Sequence, residues 1–279
     1  MPRLVLVALC TLLLVPSALA QSAEEVLREA LSRYETDMGN VNDYTITQEV
    51  MGNAVTTYAE RAEGDGPLAY DFYLVTPDGL QSIDDDRVAA SSPFLMLERI
   101  ADEAEYDGTE DVGGVRAHVV TVGDFGDIAR EMGAIPDQAE GEFDIDEATF
   151  YLDIDDYRLR KMTMEGTMAN DGQTSPVRFE TLLSDYRTTD GFTTAYRMAM
   201  TMQGMEGQVS DADRAEAQHQ LEEARRQMEE MPAAQREMME RMMGDRLERL
   251  EQMLGGGGFS MEMVVTDVDV NTGRPTGGQ

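Results

Sequence analysis

The residues able to do chemistry are few in this 279-residue chain, and they do not converge. The only imidazoles are His118, on a predicted strand, and His219, on the polar side of a predicted helix. Each reads as a solvated side chain rather than a base. The single cysteine, Cys10, falls in an apolar leader, so a disulfide framework, a thiolate metal site and a cysteine nucleophile are all excluded downstream of it. No G-x-S-x-G, P-loop, dinucleotide-binding G-x-G-x-x-G or H-E-x-x-H pattern occurs. Asp84, Asp85 and Asp86, and Asp153 with Asp155 and Asp156, carry oxygen donors of the kind that hold calcium. Neither run follows the EF-hand spacing, and both read as solvated acidic turns. Paired carboxylates for glycoside hydrolysis would want aromatic platforms, and the chain has no tryptophan. The expectation is a protein with no catalytic residues, no metal site and no cofactor.

Methionine is the unusual component, with 21 copies, most of them between Met198 and Met263. Met238, Met239, Met242 and Met243 place thioethers on one helical face, which admits a Cu(I) reading. The same spacing suits methionine as an adaptable apolar side chain lining a surface of variable contents, and this reading is preferred.

The elements that would position these residues are mostly strands. Residues 22–38 predict a helix, with Ser22 as N-cap and Val26, Leu27, Ala30, Leu31 and Tyr34 as its apolar stripe. Tyr44, Ile46, Gln48 and Val50 then alternate, and a turn near Gly52-Asn53 leads to a second strand over 55–61. Further period-2 runs pass through Phe72 and Leu74, through 115–122, and through Phe150 and Leu152. They continue through Met162 and Met164, Val177 and Phe179, and Phe192 to Met202, and resume at Phe259 to Val265. Short helices are expected over 91–101 and 124–132. Successive period-2 runs joined by short turns predict a largely antiparallel sheet with one apolar face. Between its last two strands, residues 208–254 read as a helical hairpin. Ala217, Leu221, Ala224, Met228 and Met231 recur at helical steps, Pro232 interrupts, and Met239, Met243, Leu247, Leu250 and Leu254 follow.

Charge and address narrow the class further. Arg3 precedes an apolar run from Leu4 to Val15, a Pro16-Ser17 break and an Ala18-Leu19-Ala20 cleavage site, which together read as a secretory signal over 1–20. No later run approaches the roughly 18 apolar residues of a membrane span. Periplasmic localisation is expected. With 55 acidic against 22 basic residues and a net charge of −33, a nucleic-acid partner is excluded. Dispersed carboxylates with a single lysine, Lys161, fit a surface that stays hydrated in strong salt.

Two segments carry a resemblance. "FYLDIDDYRLRKMTMEG" (150–166) is similar to a strand pair of periplasmic lipoprotein carriers, with an aromatic strand, an Asp-bearing turn and a returning strand bearing R-K-M. "LLSDYRTTDGFTTAYRMAM" (182–200) resembles a later hairpin of the same proteins, placing Tyr186, Asp190, Gly191, Tyr196 and Arg197 at turn and strand positions. The family is the outer membrane lipoprotein-sorting proteins, the LolA/LolB-like superfamily. The resemblance implies an α+β fold: an incomplete antiparallel β-barrel wrapped over helices, with an apolar cavity for the acyl chains of lipoproteins or lipids. It implies a non-enzymatic carrier with an arginine latching its helices. The organisation expected is signal 1–20, half-barrel 21–207, Met-rich hairpin insertion 208–254, Gly linker and final strand 255–271, and disordered tail 272–279. Alternation nominates Phe72, Leu74, Phe150, Leu152, Met162, Met164, Phe179, Met198 and Met200 as cavity lining. Met228, Met239, Met243, Leu247 and Leu250 are nominated as a lid or as the docking face for an envelope partner, the alternative being a regulatory protein or a Cu(I) binder.

Overall fold

The computed structural model describes residues 21–62, 68–83, 93–131, 143–170, 173–204 and 259–275, with His219, Glu223 and Arg226. Helix α1 (Ala23–Met38) starts where the Ser22 side chain accepts a hydrogen bond from the Glu25 N–H (3.2 Å), with Glu24 and Glu25 in the electropositive first turn. Two short helices follow later, α2 (Pro93–Ile100) and α3 (Phe125–Glu131). No helix among the described residues is long and apolar enough to cross a membrane.

The strands are β1 (Asp43–Val50), β2 (Asn53–Arg61), β3 (Tyr70–Thr76), β4 (Gly79–Ser82), β5 (Glu105–Val112) and β6 (Val115–Gly123). They continue with β7 (Phe143–Asp153), β8 (Leu159–Asn170), β9 (Gln173–Thr189), β10 (Phe192–Gln203) and β11 (Phe259–Val270). They form one antiparallel sheet in the order β4-β3-β2-β1-β11-β10-β9-β8-β7-β6-β5, open between β4 and β5. The fold is therefore the expected α+β incomplete barrel. Strand β11 sits inside the sheet, bonded to β1 on one side and β10 on the other, and so joins the β1–β4 half to the β5–β10 half. Hairpin turns follow local backbone chemistry. Asp190 (φ 47°) and Gly191 (φ 91°) both take the left-handed conformation that a two-residue turn between twisted strands requires.

The face looking toward the helices divides into two parts. In the larger, Val26, Leu27 and Ala30 of α1, Leu97 and Ile100 of α2, and Phe125 of α3 pack on Val120, Phe150 and Leu152, all fully buried or nearly so. In the smaller, Met38 and Val41 at the end of α1 meet Tyr44, Ala59, Tyr70, Phe192, Val268 and Val270.

Two strands escaped the periodic reading. β4 is four residues long, and β5 (EYDGTEDV) is acidic and broken at Gly108, where the register to β6 shifts. Both are edge strands, where charge, short length and a bulge blunt pairing with other chains. Just past β11, the Gly273 N–H donates to Asp43 (2.8 Å), and Arg274 pairs with Glu60 of β2 and lies over the Tyr73 ring.

Gly166 marks the tightest approach in the sheet. A Cβ there would lie 2.0 Å from the Asp144 carbonyl oxygen and 2.8 Å from Ile145 Cα, beside the shift in the β7–β8 register. Gly166→Ala is expected to lower stability by about 1–3 kcal/mol, read as a fall of several degrees in Tm. Gly123→Ala, at a position with open space around it, should shift stability by no more than about 0.5 kcal/mol.

Candidate functional site

A cavity of about 290 Å³ lies in the smaller part of the fold, between the last turn of α1 and strands β1, β2, β3, β9, β10 and β11. Its helix side is Tyr34 and Met38. Its floor is Tyr44 and Ile46 of β1, Thr57 of β2, Phe72 of β3, Phe192 and Met198 of β10, and Met263 and Val265 of β11. Gln48, Thr193 and Thr194 are polar but uncharged, and no lining residue is ionised at neutral pH.

Aromatic contacts hold one wall. The Tyr44 ring stacks on Phe192 (centroids 4.4 Å, 21° between planes) and meets Tyr70 (5.6 Å) and the edge of Phe72 (6.5 Å). The Tyr70 hydroxyl donates to the Val41 carbonyl (2.7 Å). Arg61 of β2 donates through one terminal nitrogen to both Met38 O and Val41 O (2.6 Å each). Its guanidinium thus sits at the C-terminal end of α1, on the last helical carbonyl and on one three residues beyond it, where positive charge is favoured.

The other wall is tied to α1 by an ionic network on the β7–β8 turn. Arg158 pairs with Asp37 of α1 (2.7 Å) and with Asp156 (2.7 Å). Arg160 donates twice to Asp153 (2.9 and 2.6 Å) and lies over the Tyr186 ring at 4.8 Å. The Tyr186 hydroxyl donates to the Leu159 carbonyl. Asp153 and Asp156, which resemble cation ligands in sequence, are occupied by guanidinium groups. Among the described residues no cluster of His, Cys, Asp and Glu could hold a metal ion. Arg61 from β2 and Arg158 from the β7–β8 turn both reach the C-terminal part of α1.

His118, expected to be solvated, is buried. Its Nδ1 lies 3.1 Å from the Tyr106 hydroxyl and its ring stacks on Tyr157 (5.5 Å). Burial holds its pKa below the usual imidazole range against the opposing pull of Asp153. It faces the packed part of the sheet, away from the cavity. His219 is helical and exposed.

The nine nominated lining residues share one face of the sheet. Phe150 pairs with Met162, Met164 with Phe179, and Phe72 and Leu74 lie opposite Ala59 and Thr57. Of these, Phe72 and Met198 line the cavity. Phe150 and Leu152 are fully buried beneath the helices, with Met162 and Met164 packed against that core. The Phe179 ring leans on Phe143 (6.2 Å). Leu74 and Met200 are half-buried on the same face, outside the cavity wall. Met228, Met239, Met243, Leu247 and Leu250 lie outside the described residues, as do the signal, Asp84 to Asp86, and the Met238–Met243 group.

Alternation alone could not nominate Tyr186. Asp185 takes a left-handed backbone (φ 54°), so Leu183 and Tyr186, three residues apart, both reach the cavity. Tyr34 was legible in the helix stripe but carried no sign of which part of the sheet it would cover, and Met38 lay at the end of the predicted helix outside that stripe.

Comparison with protein-family models finds no match, and neither does comparison with curated proteins. Solved structures do match. The chain is similar to a domain described as an outer membrane lipoprotein-sorting protein from Vibrio parahaemolyticus, with 16% identity over 91% of this chain and 95% of that one, TM-score 0.43. It is similar to a DUF1329 family protein from Desulfovibrio piger (11% identity, 91% and 95% covered, TM-score 0.39). A LolA superfamily protein from Nitrosomonas europaea matches at 6% identity, 88% and 93% covered, TM-score 0.35. What the site can do follows from the cavity itself.

Burial raises the phenol of Tyr34 to about 12, and burial with the nearby Tyr70 pushes Tyr44 still higher. In the unfolded chain these phenols ionise near pH 10. The stability they contribute is complete below about pH 10 and is lost as the pH climbs, because only the unfolded state then releases their protons. Tm should hold steady to about pH 9.5 and fall steeply beyond it, with the tyrosinate absorbance of Tyr34 and Tyr44 appearing only on unfolding. Tyr44→Phe, which keeps the stack on Phe192, should flatten that fall; an unchanged slope would remove Tyr44 from the account.

Proposed function

We propose that this chain is an exported, non-enzymatic binding protein for the acyl chain of a lipoprotein or lipid, carrying it through the periplasm toward the outer membrane. The observation that carries the reading is the cavity between α1 and the open part of the sheet, apolar on its floor and free of charged lining. Its 290 Å³ falls just below the usual range for small-molecule pockets, about 300–1,000 Å³. That size suits one acyl chain rather than several. Each methylene taken from water contributes about 0.8 kcal/mol. A chain of moderate length therefore gains enough to offset the loss of its freedom on binding. Gln48, Thr193 and Thr194 offer hydrogen bonds to an ester or amide at the head of the chain, whereas a free carboxylate or phosphate finds no cationic partner in the wall.

Binding of this kind needs no nucleophile, base or metal, which agrees with the sparse catalytic inventory. Export is supported by the n-region, apolar run and A-x-A site of residues 1–20. The role in lipoprotein sorting is supported by the two hairpin motifs over 150–166 and 182–200. We assign Phe72 and Met198 to the acyl contact, together with Tyr44, Ile46, Phe192 and Met263.

The test is uptake of a fluorescent fatty amide by protein stripped of lipid, alongside mass spectrometry of an organic extract of protein purified without detergent in high salt. Saturable uptake at one equivalent is expected. Thr57→Trp, which fills the cavity from its floor, should weaken uptake at least about tenfold with Tm unchanged. An empty native extract together with no uptake by the stripped protein would overturn the proposal.

A further inference from the structure

We infer that the cavity face of β10 and β11 is a binding site for a soft monovalent cation, Cu(I), held by methionine thioethers. Met198 lies directly opposite Met263, and Met200 directly opposite Met261. Met198 and Met263 both line the cavity, and period-2 alternation puts Met200 and Met261 on the same face one step along the strands. The four Cα atoms therefore mark a rectangle about 5 Å across the strands and about 7 Å along them. Methionine is unbranched and turns about three side-chain bonds. Three or four sulfurs from such corners can converge on one ion above the sheet. All four side chains are half-buried, shielded from bulk water yet reachable.

The donor set selects the ion. The charged neighbours on these strands, Arg197 and Glu262, lie on the opposite face and pair with each other at 2.8 Å. The adjacent positions on β9 in the same rows are Leu183 and Thr181. Calcium and magnesium need several oxygen ligands, and zinc and Cu(II) want imidazole or thiolate. A block of neutral thioethers suits none of these, whereas Cu(I) takes soft sulfur donors without requiring negative charge. Apolar lining does not by itself call for methionine here. In the packed part of the same face Met162 and Met164 stand singly, opposite Phe150, Ala148, Thr181 and Phe179, and among the described strands methionine faces methionine only at β10–β11. Met200 and Met261 moreover lie beyond the cavity wall. The site is independent of Met238, Met239, Met242 and Met243.

The experiment is anaerobic competition for Cu(I) between the full exported chain and a chromogenic Cu(I) chelator. The wild-type protein and M238L/M239L/M242L/M243L should each hold one equivalent against the chelator. M198L/M200L/M261L/M263L, a nearly volume-conserving change, should lose it or hold it at least about a hundredfold more weakly, at unchanged Tm. If the strand variant keeps the tight equivalent, or if the wild-type protein yields all its copper to the chelator, the inference fails. Should the strand variant not fold, methyl-labelled methionine spectra of the wild-type protein with Ag(I) decide the matter. Assignment through M200L and M263L singly should show the first equivalent shifting the β10–β11 methyls. A first equivalent that moves only other methyls overturns the site.

Discussion

One helix is shared by strands that stand far apart in the sheet, and the rest of the structure follows from that sharing. From β3 to β6 there are eight strand steps, about 38 Å if the sheet were flat. The 16 residues of α1 span about 24 Å. Yet the start of the helix is buried against Val120 and Phe150, and its end against Tyr44 and Tyr70. The sheet meets both demands only by curling around the helix. Twist alone bends a sheet this wide, and the register shifts at Thr47/Gln48 and on β7 sharpen the bend locally. A curled sheet with one helix across it is filled where additional helices pack, beneath α2 and α3. It is hollow where they do not.

The hollow persists because its walls are braced rather than packed. Tyr44, Tyr70, Phe72 and Phe192 support one another as a group of rings, and the Tyr70 hydroxyl fixes that group to the backbone beyond α1. Two arginines set the position of the helix from opposite sides: Arg61 on the Met38 and Val41 carbonyls at its C-terminal end, Arg158 on Asp37. The Arg158–Asp37 ion pair is largely shielded from water. Such pairs contribute little net stability but penalise the loss of either partner, so they define a geometry more than they strengthen it. The many exposed pairs elsewhere, such as Arg187 with Asp185, are weak and screened by salt. The acidic surface thus governs solubility, and the core governs the fold.

Period-2 alternation, cap chemistry and turn residues are local properties, and they were legible in the sequence. Ser22 capped α1, Asp190-Gly191 turned the β9–β10 hairpin, and each nominated lining residue fell on the one face that looks toward the helices. Edge strands β4 and β5 were not legible, because an edge needs no apolar face and avoids one. The division of that face into a packed part and a hollow one came only from the tertiary structure. Phe150 and Phe72 have the same pattern around them in sequence; one lies under three helices and the other beside a cavity, and no local signal says where a helix will land. The same holds for charge. Asp153 and Asp156 could be read as cation ligands until Arg158 and Arg160 were found against them, and Tyr186 reached the cavity only through a left-handed residue at Asp185. Side-chain period is set by the backbone each residue carries, so sequence determines the face. Which neighbours cover that face depends on contacts between residues more than a hundred positions apart, such as Asp37 with Arg158, and those exist only once the chain has folded.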